Sequence, residues 1–287
     1  MVRHLGPGGD PLILTVRNDR QLIGIVPLAV RGNRAYFLGS AEVCDYQDIV
    51  AAPGQEAAVM RGLVDYLRRV GIQGLDLETL RPDASLCIGL QPLADSGHVK
   101  VTQSNCDVTF ETALPGSWES YLQQLSGKQR HEVRRKLRRL EAGGPYTFRL
   151  AGTGHAFESD IADFLQLFQM NREDKANFMD DAMSVYFSDL MKTMAGQDLL
   201  RLYFLDLAGE PAAAVLCFDY GGVRYLYNSG YDARHHNLSV GILSKVFSIR
   251  AGIDGGCRRY DFLKGAETYK KRIGGREVAL YRCEIEW

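Results

Sequence analysis

Apolar and polar positions along the opening of the chain predict paired strands. Residues 12–16 are apolar, 17–21 form a polar turn, and 22–30 are apolar again. A second turn at 31–34 leads into the apolar stretch 35–38, so a meander with hairpin connections is expected. The period then changes. Val59, Met60, Leu63, Val64, Leu67 and Val70 fall on one face of a helix over 57–70 that stops at Gly71. Residues 74–77 resume as a strand, and a further strand is expected around 99–110.

The middle of the chain reads as helical. Ser117 is placed to cap a helix bearing Trp118, Tyr121, Leu122 and Leu125. Ser126 and Gln129 fit a capping box that restarts a helix carrying Val133, Leu137 and Leu140 and ending at Gly143-Gly144. Residues 161–168 and 183–194 are two more amphipathic candidates. The last third returns to the opening order: strands over 200–207, 212–220 and 223–227, a helix over 240–253, then strands over 259–263 and 279–287.

That return invites a comparison of the chain with itself. A shift of 189 positions lays residues 12–40 on 201–229 and aligns Val26 with Val215, Gly32 with Gly221, Tyr36 with Tyr225 and Ser40 with Ser229. Four identities in 29 positions are weak alone. The shared order of hairpin, strand, helix ending in Gly and strand carries more weight. Two related α/β units are expected, residues 1–110 and 111–287.

Composition narrows the function classes. The 287 residues are 46% apolar and 24% charged, an ordinary globular balance. The net charge of −1 provides no global field for nucleic acid or anionic lipid, so such a partner would need a local patch. No apolar run approaches the ~20 residues of a membrane span, and no leader-like core stands at the amino end. A cytoplasmic protein without membrane insertion is expected. The six cysteines form no CxxC pair and no zinc spacing with His, so reduced thiols and no metal are expected.

Four stretches can carry chemistry. In Tyr227-Asn-Ser-Gly-Tyr-Asp-Ala-Arg234-His-His-Asn237-Leu-Ser239-Val240-Gly241, a strand passes through a polar loop into a helix. Unpaired first-turn amides there suit a phosphate or pyrophosphate, with Ser239 as cap, Gly241 admitting a ligand and Arg234 adding a charged hydrogen bond. An ordinary capped helix fits the same residues. In the stretch from Asp261 through Lys264, Glu267, Tyr269 and Lys270 to Gly274, an acid, a base and a cation meet at a strand's carboxyl end, where open α/β sheets gather ligands. A solvated basic turn is the alternative. Asp45-Tyr46-Gln47-Asp48 either grips a substrate amine or forms an Asx turn. From Lys128 to Arg139, seven cations accompany one acid, Glu132. They form a solvated face or a site for an anionic partner.

The segments GYDARHHNLSVGILSKVFSIRAGIDGG and RRYDFLKGAETYKKRIGG resemble the GNAT acyltransferase superfamily. So do the opening VPLAV, LGS and CDYQD, and SGKQRHEVRRKLRRLE in the middle. The likeness is to its tandem branch of cellulose-biosynthesis-protein-like acetyltransferases, akin to the Fem-type peptidyltransferases. It implies a mixed α/β fold of two tandem GNAT-like units, each a mostly antiparallel twisted sheet flanked by helices. It also implies acetyl-CoA or another acyl-CoA as donor, bound at Arg234, Asn237, Ser239, Val240 and Gly241, although the glycine spacing departs from the family's pyrophosphate loop. An amine of a small molecule or cell-envelope precursor would attack the acyl carbonyl. Asp261 or Glu267 would take its proton, directly or through water, and Tyr269 would protonate the leaving sulfur. Asp45, Tyr46, Tyr227, Lys264 and Lys270 would bind substrate. Fem-type relatives use aminoacyl-tRNA, a donor that the basic helix favours and the near-neutral charge disfavours. A non-catalytic accessory role in polysaccharide biosynthesis is the remaining alternative.

Overall fold

The computed structural model describes residues 9–40, 43–170 and 179–287. The chain forms two compact units. The first runs through Thr109 and takes back Val278–Trp287, and the second is Phe110–Glu277.

The first unit opens with β1 (Asp10–Asn18), β2 (Gln21–Arg31) and β3 (Arg34–Phe37), an antiparallel meander as the alternation predicts. A short β4 (Val50–Ala51) pairs with β2. Helix α1 (Glu56–Arg69) buries Val59, Met60, Leu63, Val64 and Leu67, the face its spacing predicts. These side chains pack with Val26, Leu28, Leu75 and Leu77 of the sheet. Each full burial of this kind contributes about 1.5–3 kcal/mol. β5 (Gly74–Leu80) then runs parallel to β3, pairing Arg34 with Gly74 and Ala35 with Leu75. Helix α2 (Ser85–Asp95) was not expected from the sequence. It carries Pro92 inside and buries Leu86, Gly89, Leu90 and Leu93. β6 (Lys100–Ala113) carries the chain into the second unit.

There, Ser117 caps α3 (Trp118–Gln124) by accepting the Ser120 amide at 3.1 Å. The capping box opens α4 (Gly127–Ala142), with the Ser126 amide on Gln129 Oε1 at 2.8 Å and the Gln129 amide on Ser126 Oγ at 3.3 Å. β7 (Tyr146–Leu150), five residues long, escaped the sequence reading. Helices α5 (His155–Met170) and α6 (Asp181–Gly196) follow. β8 (Leu200–Leu207), β9 (Glu210–Tyr220) and β10 (Val223–Tyr231) repeat the meander. A 3-10 turn (Ala233–Leu238) leads into α7 (Val240–Asp254), then β11 (Arg259–Lys264) and the short α8 (Thr268–Arg272). The strand order is β11-β10-β9-β8-β7, with only the β10–β11 pair parallel among these neighbours. Buried Arg224 ties β10 to β9 through Asp219 at 2.7 and 2.8 Å and to α7 through the Ser248 carbonyl at 2.9 Å.

β12 (Arg276–Glu286) returns to the first unit and pairs antiparallel with β5, from Tyr281 opposite Leu80 to Glu286 opposite Gly74. Residues 278–287 therefore belong with the first unit rather than with the second, where the sequence repeat assigns them.

Candidate functional site

The site of the second unit grows from one irregularity. β10 and β11 pair through Val223–Arg259, Arg224–Tyr260 and Tyr225–Asp261 and then part, while β10 runs on to Tyr231. A bulge against β9 falls on Tyr227, between the pairs Leu226–Cys217 and Asn228–Leu216. A bulge bends its strand and re-aims its side chain. Tyr227 accordingly turns its ring onto Phe187 and Phe218, at centroid distances of 5.8 and 5.2 Å. The strand continues four residues past the predicted end at 227 before the 3-10 turn begins.

The start of α7 differs from expectation in two ways. Ser239 occupies the cap position in a left-handed conformation (φ 58°) and makes no side-chain cap bond. Its Oγ instead accepts from Lys136 Nζ at 2.9 Å. Arg139 donates to the Asn237 carbonyl at 3.2 Å. Two cations of the basic helix α4 thus reach the tip of α7, where first-turn amides and the helix dipole already favour an anion. The amides of Ile242 and Leu243 both turn back to the Ser239 carbonyl at 3.0 Å, and those of Val240 and Gly241 precede them. A Cβ on Gly241 would lie 2.6 Å from the Tyr231 ring, so Tyr231 explains the glycine without a ligand.

Arg234 is exposed, and its Nε and NH2 grip Asp232 Oδ2 at 2.8 and 2.6 Å. That guanidinium holds the Asp232 carboxyl below the usual range. Asn237 accepts its neighbour's Leu238 amide through Oδ1 at 3.0 Å.

The residues after β11 divide into framework and open groups. Asp261 is fully buried and takes the Leu263 amide on Oδ1 at 2.8 Å, stabilising the positive φ of Leu263. Lys270 is also buried. Its ammonium donates to the carbonyls of Leu263, Lys264 and Gly265 at 2.7–3.0 Å and meets Glu267 Oε2 at 2.8 Å. Lys270 is therefore spent on shaping the loop, where substrate contact was expected. Lys264 is half-buried and lends its carbonyl to that knot, and Glu267 is half-exposed.

Tyr269 lies against Lys245, whose buried ammonium sits 5.0 Å from the ring centroid and donates to the Gly241 carbonyl at 2.7 Å. Burial pushes the Tyr269 phenol upward, with Glu267 and Cys217 adding to the effect. Next to it stands a buried polar group: Tyr260 and Ser248 share a hydrogen bond of 2.7 Å, and burial pushes the Cys217 thiol up to about 12. Lys245 links the α7 tip to Tyr269, a connection that the sequence reading missed. Its advance signal was a cation set among Leu243, Val246 and Ile249, on the side of the helix that those residues bury.

Asp45 and Tyr46 lie in the first unit. Tyr46 hydrogen-bonds Thr109 and carries the Arg81 guanidinium over its ring at 5.3 Å. Its neighbour Asp48 has a structural task. Its carboxylate accepts the Ser85 and Leu86 amides at 2.7 and 2.9 Å, capping α2, and the Ile49 amide at 2.8 Å. Burial nevertheless raises its pKa.

Comparison with known proteins fits this layout. The acetyltransferase (GNAT) domain family matches residues 127–271, from the basic helix through Tyr269. The chain belongs to this family. No curated protein matches the whole sequence at a significant level. Among solved structures, the GNAT chain is similar to the C-terminal DUF2156 domain of a protein from Agrobacterium fabrum assigned as a lysylphosphatidylglycerol synthetase. That match has 13% identity and TM-score 0.66 and covers 96% of this chain and 84% of that one. FemX matches at 11% identity and TM-score 0.63, covering 95% and 88%. L-PGS from Bacillus licheniformis matches at 12% identity and TM-score 0.63, covering 98% and 86%. At such identities the likeness shows a shared fold. The chain thus has a GNAT-type acyltransferase fold, mixed α/β with a mostly antiparallel sheet flanked by helices. Among the described residues no cluster of three or more metal-ligating side chains occurs, and no helix is long and apolar enough to cross a membrane.

Proposed function

We propose that this GNAT protein is an N-acyltransferase that moves an acyl group, acetyl foremost, from acyl-CoA to an amine. The observation that carries the reading is the parting of β10 and β11 beyond Tyr225 and Asp261, beside a helix tip to which α4 brings two cations. The donor's diphosphate would lie against the amides of Val240 and Gly241, near Lys136, Arg139 and Arg234. Asn237 and Ser239 would shape that tip. The acyl arm would then enter between the strands, where backbone N–H groups at the sheet opening would stabilise the developing oxyanion. Holding both substrates together supplies up to ~7–11 kcal/mol of the barrier, so positioning does much of the catalysis.

Glu267, the more accessible carboxylate, is the general base in this reading, acting directly or through water; Asp261 holds the strand end. Tyr269 is the general acid toward the departing thiolate. The phenol is protonated at neutral pH at its ordinary value, and the upward push of burial makes it a weaker acid, so its role rests on position. Tyr227 and Lys264 would face the acceptor. We also place the protein in the cytoplasm and read its two units as tandem GNAT-like halves.

A second reading, aminoacyl transfer from charged tRNA, draws on the exposed Lys128, Arg134, Arg138 and Arg139 of α4 and on the fold shared with FemX. Thermal melts separate the two. Acetyl-CoA at a hundred times its Kd should add ~2.7 kcal/mol of stability. No shift with acetyl-CoA or any longer acyl-CoA, together with a salt-sensitive complex with charged tRNA, would replace the first reading by the second. No response to either would leave a binding module.

A further inference from the structure

The first unit holds a pair of groups that this chemistry does not use. Helix α2 and strand β12 border a groove of about 470 Å³ lined by Ile88, Leu90, Tyr281 and two cysteines, Cys87 and Cys283. Cys87 is half-buried and opens on the groove, whereas Cys283 is 1% exposed and belongs to the unit's apolar core. Cys87 packs against that same core, and both side chains line the one groove. Cys87 Sγ also lies 3.7 Å from the Arg81 carbonyl. Two thiols far apart in sequence that share one groove and one apolar cluster are brought into the neighbourhood a bridge requires. Cys106 instead turns its thiol to the Leu280 carbonyl, and Cys217 joins the Tyr260–Ser248 group.

We propose that Cys87 and Cys283 form a thiol-modification site for small disulfides, closing to an intramolecular disulfide that staples β12 to α2. One thiolate of the pair attacks a sulfur of the incoming disulfide RS–SR, forming a mixed disulfide and expelling RS⁻. The second thiol loses its proton to water and its thiolate attacks the protein sulfur of that mixed disulfide, expelling another RS⁻. The sum is two Cys–SH plus RS–SR giving Cys–S–S–Cys plus two RSH. The two thiols shift each other in opposite directions, Cys283 downward and the groove-facing Cys87 upward, so Cys283 is the one that ionises more readily. In a reducing compartment such a bond is transient and reports oxidation.

The test is peptide mapping of the whole protein after incubation with oxidised glutathione and alkylation of the remaining thiols. The expected product is a linked peptide pair carrying Cys87 and Cys283, lighter by two hydrogens than its reduced components. It should form before Cys106 is modified and be reversed by reductant. The oxidised protein should melt about 4 °C or more higher. Cys87→Ser should lose both the link and the shift. Stable glutathione adducts on Cys106 with Cys87 and Cys283 still open to alkylation would overturn the proposal. So would separate glutathione adducts on Cys87 and Cys283 that never resolve into a bond.

Discussion

In the first unit β3 and β5 run parallel with α1 between them in sequence; in the second, β10 and β11 run parallel with α7 between them. The register begins at Arg34 in one and Val223 in the other, positions related by the same shift of 189 that aligns the two sequences. The helix starts diverge. In α1 the first turn carries Glu56, and α2 crosses so closely that a Cβ on Gly89 would lie 2.3 Å from the Glu56 carbonyl oxygen. In α7 the first turn has no acid, and Lys136 and Arg139 reach its approach. β3 is four residues long, whereas β10 has nine, with a bulge at Tyr227. One chain order thus gives a helix end covered by protein and another with two cations beside it. The proposed donor site rests on the bulge, the absent acid and those cations, not on topology alone.

The sharpest way to break this comparison is Tyr269→Phe. Turnover should fall by about 10²-fold or more with donor affinity unchanged, read by steady-state kinetics beside calorimetric titration of acyl-CoA. An unchanged rate removes the phenol from the chemistry and leaves the second unit no more catalytic than the first. Next in size, Lys136→Ala combined with Arg139→Ala should weaken acyl-CoA binding by about tenfold and leave saturated turnover nearly intact. Glu56→Gln in the first unit should leave that affinity where it was. Equal effects from both changes would erase the distinction between the helix starts.

Asp48→Ala tests the structural side. Removing a carboxylate that caps α2 should cost about 1–2 kcal/mol in chemical denaturation without changing turnover. A selective rise in the acceptor KM would return this stretch to substrate binding.

The smallest effect is a pH contrast. Asp48 is raised by burial, so it costs stability when ionised, and the first unit gains as pH falls through the carboxylate range. Glu132, held at about 2 by Arg135 and Lys136, stabilises α4 above its unfolded value near 4.5 and loses that contribution as pH falls from there toward 2. Asp232, lowered by Arg234, acts in the same direction. Amide exchange should therefore slow in α2 and quicken in α4 and the 3-10 turn between pH 5 and 3.5. Parallel changes in all three would refute the contrast.

Much of the fold was legible because periodicity reports burial directly. The meanders, α1 and α7 followed from spacing and α4 from its capping box, although the cap expected of Ser239 did not form. α2 and β7 did not, because Pro92 interrupts one pattern and five residues are too few for the other. The site was legible as a set of stretches, but the tasks of individual residues were not. Asp48 meets its amides 37 and 38 positions away, and Lys136 meets Ser239 at a separation of 103. A cation such as Lys270 looks open in sequence until three carbonyls close around it.

The return of β12 has a consequence for biogenesis. On the ribosome, every residue of the second unit is made before the strand that pairs with β5 exists. The nascent first sheet must wait with an unzipped β5 edge, vulnerable to pairing with another chain. The second unit has no such wait and can fold first, although it is made later.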